Sequence, residues 1–81
     1  MRIDLHGFYV QNGWRYFNQK VEEAYLAGYK KCHVITGQGI MMREVEVWSY
    51  NHPRVRECTQ NKHNPGSFSI KLKKKVDLLL S

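Results

Sequence analysis

The sequence has few of the features that mark secreted, membrane-spanning or disulfide-stabilised proteins. Its 81 residues include two cysteines and two prolines, and no apolar run approaches the roughly 20 residues that span a bilayer. Cys32 and Cys58 form no Cys-x-x-Cys pattern, and a disulfide-stabilised mini-protein would usually carry more cysteines. The N-terminus also lacks the apolar segment of a signal peptide. We therefore expect a cytoplasmic protein with reduced thiols and no membrane partner.

The apolar content of the chain is sufficient for one folded domain. Hydrophobic residues make up 42% of the sequence and aromatic residues 12%, which is typical of a packed core and not of a disordered chain. A chain of this length is too short for two domains. We expect one monomeric domain over residues 1–75, followed by a short C-terminal tail, 76–81.

Positive charge is concentrated in the C-terminal third. The chain has 13 Lys and Arg against 7 Asp and Glu, a formal net charge of +6, and most of the excess falls within residues 54–81. A basic domain attracts polyanions by Coulomb forces and counterion release, which makes nucleic acid the predicted class of partner. The alternative is a solvated face that only keeps the protein soluble.

Hydrophobic periodicity predicts the order strand, helix, strand, helix, strand, strand. Helical crossovers require the first three strands to run parallel, and the polar loop over residues 60–66 returns the last strand antiparallel. The predicted fold is a small two-layer α/β sandwich with a mostly parallel open sheet. Trp14 and Trp48 fall on the apolar faces of the helices and are predicted to pack in the core. The predicted strands cover residues 3–6, 32–36, 54–59 and 67–73, and the helices cover 12–28 and 40–51.

Asp4 and His6 lie two residues apart on the first predicted strand, just before Gly7. Their side chains therefore point to the same side, with Cα atoms about 6.5–7 Å apart. A carboxylate at this distance can orient an imidazole, which then exchanges a proton with a nucleophile or a leaving oxygen. The alternative is structural, with Asp4 bonded to backbone amides and His6 at the surface.

The segment Thr36-Gly37-Gln38-Gly39 lies between the second strand and the second helix. Two glycines allow close approach of an anion, and the amides of the following helix N-terminus point at it. Arg43, one turn into that helix, is placed to bind the same phosphate. A tight turn that needs positive φ is the alternative explanation of the glycines.

Together these motifs resemble the Smr (small MutS-related) domain over residues 3 to about 73. The family is marked by a Leu-Asp-Leu-His-Gly segment and a later His-Gly-x-Gly segment. The first is matched by Ile3-Asp4-Leu5-His6-Gly7, and the second at Gly37 and Gly39. Arg43 and the segment His52-Pro53-Arg54-Val55 add to the likeness.

The resemblance implies a fold similar to the C-terminal domain of translation initiation factor three, and a domain that processes nucleic acid. Several members of the family are endonucleases that nick DNA or cut RNA, including mRNA on collided ribosomes, so the ribosome is an implied partner. The resemblance also implies Asp4 and His6 as the catalytic pair. Thr36 stands where most of the family has His, which removes a second imidazole. His33 is predicted on the opposite face of its strand from Thr36 and does not replace it.

The predicted mechanism is phosphodiester cleavage with His6 as general base or acid and Asp4 orienting it. Cleavage of RNA by its own 2′-hydroxyl needs no metal, whereas water attack on DNA favours a divalent cation such as Mg²⁺ at Asp4. The His and Cys spacing matches no zinc site, and Tyr9 is a candidate for stacking on an unpaired base. Phosphate-binding candidates near the motifs are Gly7, Thr36, Gly37, Gln38, Gly39 and Arg43. Backbone-binding candidates in the basic C-terminal third are Arg54, Arg56, Lys71, Lys73, Lys74 and Lys75.

Two other classes of function are consistent with the sequence. One is a binding module that docks the same basic face on RNA, DNA or the ribosome and cuts nothing, with Thr36 as the sign of lost chemistry. The other is a protein-interaction domain in which the tail Val76 to Leu80 contacts a partner.

Overall fold

The computed structural model describes residues 1–37 and 39–74. All six predicted elements are present in the predicted order, and the first helix begins two residues earlier than expected. The positions predicted for Gln38, Lys75 and the tail 76–81 lie outside the described residues. The elements are β1 (Arg2–Asp4), α1 (Val10–Leu26), β2 (Lys31–Ile35), α2 (Ile40–Asn51), β3 (Val55–Gln60) and β4 (Ser67–Leu72).

The four strands form one mixed sheet in the order β1-β2-β4-β3. β1 pairs parallel with β2, and β4 pairs antiparallel with both β2 and β3. The first three strands therefore run in one direction and the fourth returns, as the connections predicted. The sequence did not indicate that β4 lies between β2 and β3, so that β3 has its hydrogen bonds with the returning strand. The structure confirms the small α/β fold class.

The sheet has a buried face and an open face, and alternation along the strands separates the two. On the buried face, Ile3, Val34, Phe68 and Ile70 are inaccessible to solvent and form the core with the helices. The open face carries polar side chains at the alternate positions, with Arg2, His33 and Ser69 opposite one another across three strands. We refer below to the buried face and the open face in this sense.

The helix α1 packs through a narrower apolar stripe than the periodicity predicted. Phe17 and Val21 are fully buried as expected, and Trp48 of α2 packs on Phe17 with ring centroids 5.8 Å apart. Trp14 was predicted to pack in the core, but 48% of its surface is exposed. The contact point is Gly13 instead, where an added Cβ would come within 2.7 Å of the Met41 side chain. Since the buried stripe runs through Gly13, the neighbouring Trp14 is turned to the edge of the helix interface.

A glycine closes α1 as predicted. Gly28 adopts a φ of +86°, a left-handed conformation that glycine takes without a Cβ penalty. Its N–H donates to the Tyr25 carbonyl, and the N–H of Tyr29 donates to the Ala24 carbonyl. This pattern satisfies the last carbonyls of the helix and turns the chain into β2.

Two further expectations concern cysteines and membranes. Cys32 is buried and Cys58 half-buried, and both are free thiols, as expected. Burial raises the pKa of both thiols, so both favour the protonated form. Within the described part of the chain, no helix has the length and hydropathy to cross a membrane.

Candidate functional site

The ends of β1 and β2 and the start of α2 surround an open cleft of about 500 Å³. The carboxyl ends of parallel strands meet at this edge of the sheet, so the turn after Asp4 and the turn after Ile35 lie side by side. We call this feature the His6 cleft. It is lined by Leu5, His6, Gly7, Phe8, Tyr9, Val10, Thr36, Gly37, Ile40 and Met41.

Asp4 and His6 are joined through the backbone. The Asp4 carboxylate accepts a hydrogen bond from the backbone N–H of His6, with Oδ1 and N 2.9 Å apart. β1 ends at Asp4, and the N–H of the fully buried Leu5 then donates to the Ile35 carbonyl at 2.7 Å. These two bonds fix the backbone on both sides of the turn. The sequence predicted that Asp4 orients the His6 ring directly or through one water, or else that it bonds to backbone amides. The bond seen here is of the second kind and positions the main chain that carries the ring.

The His6 ring lies against the second motif. A Cβ built on Gly37 would be 3.5 Å from Cδ2 of His6, which is ordinary van der Waals contact. Both Asp4 and His6 are exposed to solvent. The predicted catalytic pair and the glycine motif are thus together at one edge of the sheet, and the imidazole is open to a ligand in the cleft.

The Thr36 hydroxyl is used within the protein. It is buried and lies 2.7 Å from the carbonyl oxygen of Gly37 and 3.1 Å from that of Gly66, to which it donates. The N–H of Thr36 also donates to the Gly66 carbonyl, at 2.7 Å. Thr36 was predicted to contact phosphate, but its bonds instead attach the motif to the β3–β4 loop.

The sequence did not indicate a role for Gly66. Its Cα packs so closely on Gly37 that an added Cβ would meet backbone atoms of Gly37 at 2.7 Å. The segment Asn64-Pro65-Gly66 signalled only a turn, because the contact joins residues that are distant in sequence. Gly66 therefore supports the cleft from behind.

The N-terminus of α2 is available for an anion. Gly39 precedes the helix with a φ of +123°, no side chain of the described residues caps the helix, and its first turn contains no acidic residue. The first N–H groups of any helix have no partner within it and carry partial positive charge. Arg43 is exposed on this helix but does not line the cleft.

Exposed apolar side chains flank His6. Tyr9 is 83% exposed, as expected for a ring that could stack on a base, and Ile40 is 70% exposed on the other side of the cleft. Phe8 stacks on Tyr16 of α1 with ring centroids 5.0 Å apart and is partly exposed. Ile40 was not singled out from the sequence, because a single apolar residue at a helix start has no distinguishing pattern.

Six described cations, four of them from the C-terminal third, lie at the opposite end of the sheet from the His6 cleft. β4 runs antiparallel to β2, so its last residues lie beside the first residue of β2 and the first residues of β3. There they line a groove of about 600 Å³ that we call the basic groove. Its lining residues are Gly28, Tyr29, Lys30, Lys31, Arg56, Lys71, Leu72, Lys73 and Lys74. The direction of β4 therefore separates these cations from Asp4 and His6.

Arg54, another predicted backbone-binding cation, does not line the basic groove and contacts α1 instead. Its guanidinium forms an ion pair with Glu22 at 3.3 Å and lies 4.3 Å from the centre of the Tyr25 ring. The hydrogen bond with Glu22 raises the pKa of this guanidinium. Arg54 therefore connects β3 to α1 and is already occupied within the protein.

His33 lies on the open face, as alternation predicted, with Nε2 3.1 Å from the Ser67 hydroxyl. Within residues 1–37 and 39–74, no three His, Cys, Asp or Glu side chains are grouped as metal ligands. Asp4 is the carboxylate nearest His6 in sequence and contacts its backbone. Mg²⁺ is commonly bound through one or two carboxylates together with water and substrate phosphates, so Asp4 is chemically suited to hold it.

Comparison with known proteins gives a matching family model and solved structures of similar fold. A family model described as the Smr domain matches residues 3–73. The fold is similar to that in the crystal structure of the Smr domain of Thermus thermophilus MutS2, with a TM-score of 0.83 at 19% sequence identity. The match covers 89% of this chain and 96% of that domain. No curated protein sequence gives a significant match.

Proposed function

The chain belongs to the Smr domain family, whose domains are associated with nucleic acid, and from this premise we propose that it is an endonuclease. Its substrate is an RNA or DNA strand, and the phosphodiester bond is cleaved in the His6 cleft. The observation that carries this proposal is the exposed His6 ring against Gly37, beside the uncapped N-terminus of α2. A proton-transfer group and an anion-binding helix end are thereby next to each other.

In this mechanism His6 takes the proton from the nucleophile. On RNA the 2′-oxygen attacks phosphorus, the new P–O bond forms as the bond to the 5′-oxygen breaks, and the leaving oxygen is protonated by imidazolium or water. On DNA the nucleophile is water. The first amides of α2 stabilise the charge that develops on the non-bridging oxygens, and Arg43 binds an adjacent phosphate. Asp4 keeps His6 at the cleft through its bond to the backbone N–H.

A divalent cation has a defined place in this scheme. Mg²⁺ would be held by Asp4 and substrate oxygens, and it would supply Lewis-acid activation of water on DNA. The chelator arm of the experiment below tests this requirement separately for each substrate.

The second candidate is a module that binds nucleic acid or the ribosome and has no catalytic activity. Two observations favour it. The Thr36 hydroxyl is bonded to carbonyls where most of the family has a second imidazole, and the Asp4 carboxylate contacts the backbone of His6. The first leaves a single imidazole to perform the proton transfers, and the second directs the carboxylate to the main chain rather than to the ring.

The test compares the wild type with His6→Ala and, as a matched control, His63→Ala. His63 is exposed on the β3–β4 loop and does not line the cleft. Each protein is incubated with end-labelled single-stranded RNA and with supercoiled plasmid, with and without chelator, and binding is measured in parallel. We expect His6→Ala to lose cleavage by about 10²- to 10⁴-fold, the usual contribution of general acid–base catalysis, with binding retained.

The outcomes separate the two candidate functions. If wild type and His63→Ala cut and His6→Ala does not, His6 performs the proton transfer. If no protein cuts either substrate but all bind with steep salt dependence, the endonuclease proposal fails and the binding module is supported.

A further inference from the structure

The basic groove collects cations from both halves of the chain. Lys30 precedes β2 and Lys31 is the first residue of β2, and they join Arg56 and the lysines at the end of β4. Among the described residues, no acidic side chain lines this groove. The cations are held by main-chain bonds, because the Leu72 N–H donates to the Lys30 carbonyl at 2.9 Å and the Lys73 N–H to the Arg54 carbonyl at 2.8 Å. The geometry of the groove is therefore independent of its own side chains.

One pair in the groove opposes folding. Lys31 and Lys71 are directly opposite each other in the β2–β4 register. Like charges at opposed positions destabilise a sheet, and the ion pair between Lys71 and Glu57 at 3.6 Å offsets only one of the two. A polyanion bound across both ammonium groups would remove this repulsion.

The open face connects the basic groove with the His6 cleft. Lys31 lies at the groove end of β2, His33 is in the middle, and Ile35 is at the cleft end. On this face of β4, Ser69 is short and exposed, whereas Ser67 is buried and its hydroxyl lies 3.1 Å from Nε2 of His33. The helices pack on the buried face, so among the described residues the open face is the side of the sheet along which a strand can run.

We propose that the basic groove is a second binding site for the phosphodiester backbone, and that one nucleic-acid strand crosses the open face from this groove to the His6 cleft. The new binding residues are Tyr29, Lys30 and Lys31. They join the candidates Lys71, Lys73 and Lys74. This inference rests on the proposed function in that the bound strand is the one cleaved in the cleft. It adds that binding to both sites at once requires a minimum length of strand.

The minimum length follows from the strand geometry. Four steps of about 3.3 Å separate Lys31 from Ile35, which is about 13 Å, and the turn to Gly37 adds up to two further steps. A strand that keeps the stacked rise of duplex DNA advances about 3.4 Å per nucleotide, so the two sites are about four to six such nucleotides apart. Shorter oligonucleotides reach one site at a time, and longer ones reach both. The exposed Tyr29 ring beside the groove offers a stacking surface for an unpaired base.

The experiment measures affinity by fluorescence anisotropy for oligouridine and oligothymidine from about three to about fifteen nucleotides, at several salt concentrations. The groove variant is Lys30→Gln/Lys73→Gln, whose side chains are exposed. The matched control is Arg15→Gln/Lys20→Gln, which removes the same charge from α1. The two homopolymers distinguish RNA from DNA as the source of the backbone.

We expect wild-type affinity to rise between about four and eight nucleotides and then level off. The groove variant should lose most of that rise and flatten the slope of log affinity against log salt by about 1.4, which is 0.7 for each lost phosphate contact on a single strand. The control variant should keep both the rise and most of the slope.

Two results would overturn the inference. The first is a groove variant that binds every length like the control, and the second is an equal loss at all lengths, which would mean a single site. A length-dependent rise in a wild type that cuts nothing would leave the groove in place and remove the endonuclease, so the two proposals fail separately.

Discussion

Gly66 is the residue on which the shape of the His6 cleft most depends. Its Cα rests on the Gly37 backbone, and its carbonyl receives two bonds from Thr36. An alanine at this position would place a methyl group 2.7 Å from backbone atoms, which cannot move aside as a flexible side chain can. We predict that Gly66→Ala costs about 1–3 kcal/mol of stability, the usual range for overpacking, and displaces the Gly37 turn.

The test of this prediction measures folding and cleavage independently. Thermal unfolding and single-turnover cleavage are measured for Gly66→Ala and for Gly28→Ala, where a Cβ meets no atom within 4 Å. Gly28→Ala bears only the strain of its positive φ, and it should keep the rate of cleavage at temperatures where it is folded. A Gly66→Ala protein that cuts at the wild-type rate would show that the cleft tolerates displacement of this turn.

The residues of the site differ in how well the sequence predicts them. Asp4, His6 and the glycines of the second motif are close in sequence to strand ends, and parallel strands must bring such ends together, so their proximity was predictable. The contact of Asp4 with the His6 N–H is local and matches the structural alternative that the sequence left open. The internal bonds of Thr36 and the packing of Gly66 join residues some 30 positions apart. Alternation and glycine spacing hold no information on contacts of that range.

At the level of elements, the end of α2 contains a pH-dependent contact. Nδ1 of His52 accepts a hydrogen bond from the Arg54 N–H at 3.0 Å, and the ring meets Phe17 edge-on. Burial lowers the pKa of His52, against the opposing effect of the Glu22 charge. The unfolded chain therefore takes up a proton at higher pH than the folded one, and protonated Nδ1 can no longer accept from Arg54. Stability from this contact is complete above about pH 6.5 and is lost as the pH falls through the lowered pKa.

We predict that His52→Asn flattens the pH dependence of the free energy of unfolding below about pH 6.5. The asparagine side-chain oxygen can accept from the N–H two residues ahead and does not titrate. Urea unfolding at several pH values between about 5 and 8 measures this, with His63→Asn as the control for loss of an exposed histidine. Parallel curves for His52→Asn and wild type would exclude the contact as the source of acid sensitivity.

Strand order determined which charges meet, and the sequence did not indicate it. The direction of all four strands followed from helical crossovers and one short loop. Insertion of β4 between β2 and β3 was not predictable, because β4 can bury Phe68, Ile70 and Leu72 at an edge or in the centre. Its central place brings Lys71 opposite Lys31.

For the molecule as a whole, the net charge is +6, and six of the cations line the basic groove at one end of the sheet. The proposed catalytic groups lie at the other end, in the His6 cleft, so under the proposed function the groove attracts the substrate and takes no part in the proton transfer. Screening by salt weakens long-range attraction of exposed charges but has little effect on groups already in contact. Binding and chemistry should therefore respond differently to salt.

We predict that kcat/KM for strand cleavage falls steeply with salt, while kcat at saturating substrate changes little. If all six cations of the basic groove bind phosphates on a single strand, the slope of log kcat/KM against log salt approaches about −4. Lys30→Gln/Lys73→Gln should have a lower kcat/KM than the wild type at low salt. The two values should converge at high salt, because screening removes the attraction that Lys30 and Lys73 give the wild type. Loss of kcat with salt at an unchanged KM would instead place the salt-sensitive contacts in the His6 cleft, on the phosphate that reacts.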